Sequence, residues 1–383
     1  MRIHVVSNGD TLYSIGQKYG VNYQKIAQDN EMNPEDTLVI GQTIVITGAA
    51  DSPKIGTAKV NGYAYANIAD DVLEKTLPFL TFLSLFSYEA REGGEVTPIT
   101  VPAAEDRVIA KAIDAKVKPV LVVTNIGANG NFDSDLAHTI LNSPVAVDNL
   151  IDNLLKAMHA KRYAGLDVDF EYVLPQDREV FNNFLTKCAR KMHSNGFFIS
   201  CAIPAKEAEN TANALTGAYD YAAIGSIVDY VTLMTYDWGY PSGQAMAVAP
   251  IGNVENTVRF AVTQMPPSKI LMGIPNYGYD WPVPASPENP GRSIGNTAAV
   301  DLARKHNQTI RFDEQSQAPF FIYDDESGKP REVWFEDARS VKAKLELGAK
   351  YNLAGFSYWT IDRFWPQNWL VLDAMYHLVK NGK

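Results

Sequence analysis

The run Gly165-Leu166-Asp167-Val168-Asp169-Phe170-Glu171 constrains this chain more than any other segment, because three carboxylates alternate with three apolar residues. On a β-strand that alternation sends Asp167, Asp169 and Glu171 to one face and Leu166, Val168 and Phe170 to the other. Alternate strand residues rise by roughly 6.6 Å, so neighbouring carboxylates feel each other's charge. Helical patterns flank the run, Val147 to Ala160 before it and Gln176 to Ser194 after it. That is the setting of a buried strand in an alternating α/β fold. Stacked acids in such a place are costly unless satisfied or used. The residues admit three readings: a catalytic row, a satisfied structural row, or an oxygen-ligand site for Mg²⁺ or Ca²⁺. The catalytic one is favoured, since no further acidic ligands stand in matching motifs.

Composition removes several function classes. A formal charge of −10 argues against nucleic acid and anionic membranes as partners, since both need basic surface. No run of 18 apolar residues exists, so no membrane-spanning helix is expected. The six histidines are scattered without zinc-like spacing, and no metal or cofactor is expected. Cys188 and Cys201 fall in apolar mid-element surroundings and read as buried, reduced thiols. Met1-Arg2-Ile3-His4-Val5-Val6 has no apolar leader core or small-residue cleavage site, so no secretory signal is expected.

Two domains and a linker are legible: residues 1–48, 49–58 and 59–383. In the first, Ile3 to Val6 reads as a strand and Asn8-Gly9-Asp10 as a turn. Asp10 or Thr11 caps a helix carrying Leu12, Ile15 and Tyr19, and Gly20 stops it. A second helix presents Tyr23, Ile26 and Ala27, Asn33-Pro34 turns the chain, and Leu38 to Ile46 returns as a strand around Gly41. This βααβ unit resembles a lysin motif (LysM) over its whole length, through Val5 to Leu12, Ile15, Tyr19-Gly20, Ile26, Asn30 and Leu38 to Gln42. The resemblance implies a shallow groove for N-acetylglucosamine chains at Gly9, Asp10, Thr11 and the segment from Asn33 to Ile40. A single such module implies weak binding that needs help.

Past a Gly, Ala, Ser and Pro-rich stretch come eight β-rich runs separated by helix-like segments. They are Lys59 to Tyr65, Phe79 to Phe86, Lys118 to Asn125, Gly165 to Phe170, Phe197 to Ile203, Ile227 to Tyr236, Ile270 to Pro275 and Leu353 to Trp359. The pattern predicts an α/β fold, a (β/α)8 TIM barrel, with a small insertion between strands seven and eight, roughly Tyr279 to Val333. A doubly wound open sheet is the alternative, disfavoured because no Gly-rich phosphate loop follows the first strand. Function is expected at the strand ends, where Asn125, Asp169, Glu171, Met234 to Trp238, Pro275 to Gly278 and Ser357 to Trp359 stand.

Four of these segments resemble glycoside hydrolase family 18, the chitinase-like enzymes. The matches are Gly165 to Glu171, then Met234, Tyr236 and Asp237, then Gly273 to Gly278, and finally Trp359. Ala164 departs from an aspartate common in chitinases, outside the carboxylate row. The resemblance implies a retaining reaction in which the substrate's 2-acetamido oxygen is the nucleophile. It implies Glu171 as acid and base, Asp169 orienting the acetamido group, and Asp167 coupled to Asp169. Tyr236 then donates to the acetamido carbonyl, and Asp237 and Trp359 bind sugar. Tyr277, Asn125 and Met234 complete the expected substrate-binding set, as contacts or as supports. Trp238 and Trp281 suit either platforms or insertion core, whereas Trp334, Trp365 and Trp369 suit structure.

Both domains point to N-acetylglucosamine polymers. The arrangement is similar to bacterial spore N-acetylglucosaminidases that trim cortex fragments during germination, made in the cytoplasm and deposited on the spore. Peptidoglycan is therefore the expected partner. A chitinase or chitooligosaccharide hydrolase is the first alternative, and a non-catalytic lectin the second. Removal of the first 48 residues is expected to weaken wall binding and leave small-substrate hydrolysis nearly unchanged.

Overall fold

A computed structural model describes residues 1–48 and 53–380. Of the expected linker, residues 49–52 lie outside the described residues, and Gly56 already opens the first barrel strand.

The N-terminal unit pairs Arg2–Val5 antiparallel with Thr43–Ile46 around helices Leu12–Tyr19 and Tyr23–Asp29. Thr11, not Asp10, caps the first helix, in a reciprocal capping box with Ser14. Asp10 instead accepts from the Ser7 N–H at 2.7 Å and faces His4 Nε2 at 3.0 Å. Gly20 ends the helix at φ +67°, a left-handed conformation that glycine adopts without strain. The last strand is shorter than its sequence suggests. Leu38 to Gln42 turn around Gly41 at φ +85°, because this segment is committed to the other domain.

Eight parallel strands follow: Gly56–Tyr65, Phe82–Ala90, Lys118–Thr124, Gly165–Asp169, Phe198–Pro204, Tyr230–Met234, Ile270–Pro275 and Gly355–Trp359. Each pairs with the next, and the first pairs with both the second and the eighth, so the sheet closes and the open-sheet alternative falls. The carboxylate strand shows why the sequence alternates. Leu166, Val168 and Phe170 are buried in the main apolar core, with the helices Pro144–Lys161 and Arg178–Ser194 packed beside them. Phe170 stacks on Phe184 at 5.6 Å between ring centres. Burial of such side chains is worth about 2 kcal/mol each and fixes which face the acids occupy. Cys188 and Cys201 are buried and free, as expected.

The insertion is more ordered than its turn-rich composition implies. Strands Gly278–Pro282, Arg292–Ile294, Arg311–Asp313, Ala318–Asp324 and Pro330–Trp334 form an antiparallel sheet backed by helix Asn296–Lys305. Its small core of Ala299, Ala303, Ile310, Phe321, Tyr323, Val333 and Phe335 also takes in Val39 of the LysM-like unit. The Ile310 N–H donates to the Ile40 carbonyl at 2.9 Å, and Arg304 Nε donates to the Thr37 carbonyl at 2.9 Å. Gly41 lies so close to Ile310 that a Cβ would strike its carbonyl. Gln367 spans Asn30 and Thr43, and Val45 joins the barrel's own core. The N-terminal unit is thus packed onto the barrel and its insertion by apolar, backbone and side-chain contacts together.

Candidate active site

The C-terminal ends of the barrel strands surround a cleft of about 570 Å³. Asp169, Glu171, Tyr236, Asp237, Met234 and Trp359 all line it, so most of the predicted set converges. Asp167 sits one layer deeper, 1% exposed, and accepts from Tyr63 Oη at 2.6 Å and Ser200 Oγ at 2.5 Å. Asp169 is 4% exposed and its Oδ1 has no partner, whereas each Asp167 oxygen accepts from a hydroxyl, so Asp169 keeps an acceptor open.

These environments set the protonation states. Burial, then the Glu171 and Asp167 charges, push the Asp169 carboxyl well above its ordinary range. Burial also raises Asp167, against which the Ser200 and Tyr63 hydroxyls act. Glu171 is pushed up to about 7, by burial first and by Asp237 second. The Glu171 charge acts on Asp169, so ionising one makes ionising the other harder. Burial and the surrounding acids keep the Tyr236 phenol protonated, so it is available as a donor. An acid held neutral near pH 7 beside an unpartnered carboxyl oxygen can transfer a proton and receive a hydrogen bond in one site.

The backbone holds this arrangement under strain. Tyr172 and Asp237, neither of them glycine, lie at φ +55° and +63°. Such residues cost roughly 1–3 kcal/mol each and persist where function requires them. Asn125 clamps the acid's own peptide unit. Its Oδ1 accepts from the Glu171 N–H at 2.8 Å, and its Nδ2 donates to the Glu171 carbonyl at 2.8 Å. Tyr277 Oη donates to Asp237 at 2.6 Å, and Tyr279 Oη donates to the same oxygen at 3.3 Å.

Residues 59–363 match the family described as Glycosyl hydrolases family 18, and residues 4–47 match the LysM domain. The chain belongs to glycosyl hydrolase family 18. It is 36% identical to a cortical fragment-lytic enzyme of Bacillus cereus, covering 100% of both chains. The crystal structure of the Bacillus cereus spore cortex-lytic enzyme SleL superposes with a TM-score of 0.92 at 34% identity, covering 100% of this chain and 99% of that one. A chitinase from Chromobacterium violaceum superposes with a TM-score of 0.77 at 30% identity, covering 83% of this chain and 98% of that one.

Within this family 18 cleft, two residues expected as contacts or as supports stand behind the lining. Asn125 is fully buried and reaches only backbone, because its amide is consumed by the Glu171 and Asp133 peptide units. Tyr277 is not among the lining residues, since its hydroxyl is turned onto Asp237. Both are supports. Trp238 lines the cleft, whereas Trp281 is buried in the aromatic cluster behind Tyr279, its Nε1 donating to the Tyr240 carbonyl. Trp334 stacks on Phe320 at 4.5 Å, and Trp365 and Trp369 are buried, as expected of structural residues.

Tyr63 and Ser200 escaped the sequence reading, as did the cleft-lining Phe132, Tyr172, Leu215 and Thr216. A single polar residue on an apolar strand carries no local signal of its partner across the barrel. In the LysM-like unit, Gly9, Asp10, Thr11 and Ile40 line a groove of about 710 Å³ with Tyr13 and Tyr23. Asn33 does not line it, because its Oδ1 is held by the Glu35 N–H at 3.1 Å in the turn below. Exposed Tyr13 was the missed signal there.

Proposed function

We propose that this family 18 glycosidase cleaves beyond N-acetylglucosamine residues of bacterial peptidoglycan, with retention, using the substrate's acetamido oxygen as nucleophile. The observation that carries the reading is Glu171, held neutral to about pH 7 beside the unpartnered Oδ1 of Asp169. Glu171 protonates the leaving glycosidic oxygen. Asp169 accepts the acetamido N–H, and Tyr236 Oη donates to the acetamido carbonyl, which turns its oxygen onto the anomeric carbon. The glycosidic bond breaks as the oxazolinium ring closes, and the charge left on ionised Glu171, beside the Asp169 acceptor, offsets the cation. Trp359 supports the pyranose face, while Asp237 and Met234 wall the same sugar. Glu171, now ionised, takes a proton from water, which opens the ring with net retention.

The choice of peptidoglycan draws on two supports: relatives named for lysis of spore cortex fragments, and a LysM unit packed beside the catalytic domain. The same relatives support action at the spore cortex. Among the described residues no helix is long and apolar enough to cross a membrane. Digestion of muropeptides and of chitin oligomers, read by product mass and by NMR of the first-formed anomer, tests both halves. Retained anomers from muropeptides are expected. Inverted anomers would remove the mechanism, and preference for unmodified chitin would remove the substrate.

A further inference from the structure

Outside the rim made by barrel strands seven and eight lies a second cavity of about 410 Å³ that the reaction does not use. One wall is the first turn of the insertion helix Asn296–Lys305. Gly295 stands at its N-cap with no side-chain cap, so the positive end of a three-turn helix is left to the cavity. Arg363 forms the facing wall, its described partner being the Ser293 hydroxyl at 3.4 Å. Between them stands Asn296, only 3% exposed. Its Oδ1 accepts from the Glu336 N–H at 2.9 Å, while its Nδ2 has no partner. Buried amide donors without acceptors are rare in folded proteins and call for a reason.

The cavity gathers donors. An uncapped helix start, a guanidinium and the Thr297 hydroxyl meet, the orphan amide of Asn296 is buried behind them, and no Asp or Glu lines the walls. The nearest acid on the Arg363 loop, Asp362, is turned to the Tyr65 N–H at 3.1 Å. The cavity also borders the segment that leaves the barrel mouth and the LysM junction. Asn276 Nδ2 donates to the Thr360 and Arg363 carbonyls at 2.7 and 2.8 Å, tying one wall to the segment that leaves Trp359. Asn296, Thr297 and Trp365 are shared with the cavity at the LysM junction.

We propose that this cavity is a subsite for a carboxylate carried on the glycan, such as those of the peptide stems of peptidoglycan. Arg363 receives it in a two-point interaction, and the helix start with Thr297 completes the shell. The inference rests on the peptidoglycan reading above.

The test uses the full chain and two forms of one muropeptide, native and with its carboxylates converted to carboxamides. Arg363→Ala is expected to raise KM for the native form about tenfold, with kcat and the KM for the carboxamide form unchanged. Arg363→Lys should recover part of the loss, and Thr297→Val should repeat it more weakly. Equal changes on both forms, or none on either, would overturn the subsite. Calorimetry with an alanyl-glutamate peptide and, separately, inorganic phosphate distinguishes a stem carboxylate from any small anion. Peptide binding that Arg363→Ala abolishes supports the proposal, and phosphate binding alone counts against it. Failure of the wild type to cut either muropeptide while it cuts chitin oligomers sinks the substrate reading instead. Calorimetry then decides the subsite by itself.

Discussion

The catalytic cleft and the LysM junction are both buried and polar, yet they treat their polar groups in opposite ways. Across the junction, Arg304 donates to the Thr37 carbonyl at 2.9 Å, Arg339 to the Gly41 carbonyl at 3.2 Å, and Gln367 reaches both Asn30 and Thr43. In the cleft, carboxyls are stacked and Asp169 keeps an unpartnered oxygen. The bonds that cross the junction are satisfied ones, whereas the cleft keeps an acceptor open for substrate. The contrast makes a prediction about each region: damage to the cleft should cost rate and leave or improve stability, and damage to the junction should do the reverse.

The largest effect expected is from Glu171→Gln, a loss of about 10³-fold in kcat with glycan binding kept. Equal turnover by the variant would remove the assigned role and leave the lectin alternative standing. The same change should stabilise the fold at alkaline pH. Glu171 moves from 4.5 to about 7, so the native state favours its protonated form. Its contribution is fully present below pH 4.5 and lost as pH rises through 7, so the glutamine gains about 2–3 kcal/mol at pH 8 and nothing at pH 4. Denaturant titrations at the two pH values check the sign.

Tyr63→Phe comes next. It strips Asp167 of one of its two hydroxyl donors and should lower kcat about tenfold with little change in KM, measured on a soluble muropeptide. The wild-type pH profile gives a gentler probe. Activity should fall about tenfold per pH unit above 7 as Glu171 loses its proton. A rate that is flat to pH 9 would contradict the burial assigned to that carboxyl.

At the junction, Gly41→Val forces a branched side chain into φ +85° against the Ile310 carbonyl. A stability loss of about 2 kcal/mol or more is expected, with kcat on a soluble substrate within about twofold. Removal of residues 1–48 sharpens the same point. The sequence reading expects a nearly neutral effect on small substrates, but the deletion uncovers the apolar surfaces that Val39 and Val45 fill. A drop in Tm of about 4 °C or more is therefore expected.

What the sequence revealed follows from how local each signal is. The carboxylate row, the strand ends and the capped helices depend on spacings of a few residues, and the fold bears them out from Gly56 to Trp359. Leu38 to Gln42 reads as strand by composition, but Gly41 at φ +85° and the bonds between Val39 and Gln42 close it as a turn, on which Ile310 then docks. The insertion's strands Arg292–Ile294 and Arg311–Asp313 are too short for alternation to register. Met234 and Trp359 line the cleft, while Asn125 and Tyr277, expected as contacts or supports, stand behind it. Both stand at strand ends, but the direction of an amide or a phenol there is set by partners far away in the chain.

The clasp between Ile40 and Ile310 bears on how the enzyme meets an insoluble polymer. Wall-binding modules on slack tethers raise local concentration by wandering, and their reach scales with tether length. Here the groove of the LysM unit is seated on the catalytic body, so its distance to the cleft is a fixed interval. On the proposed function, strands whose recognition and scission points match that interval gain both grips at once, and all others gain only one.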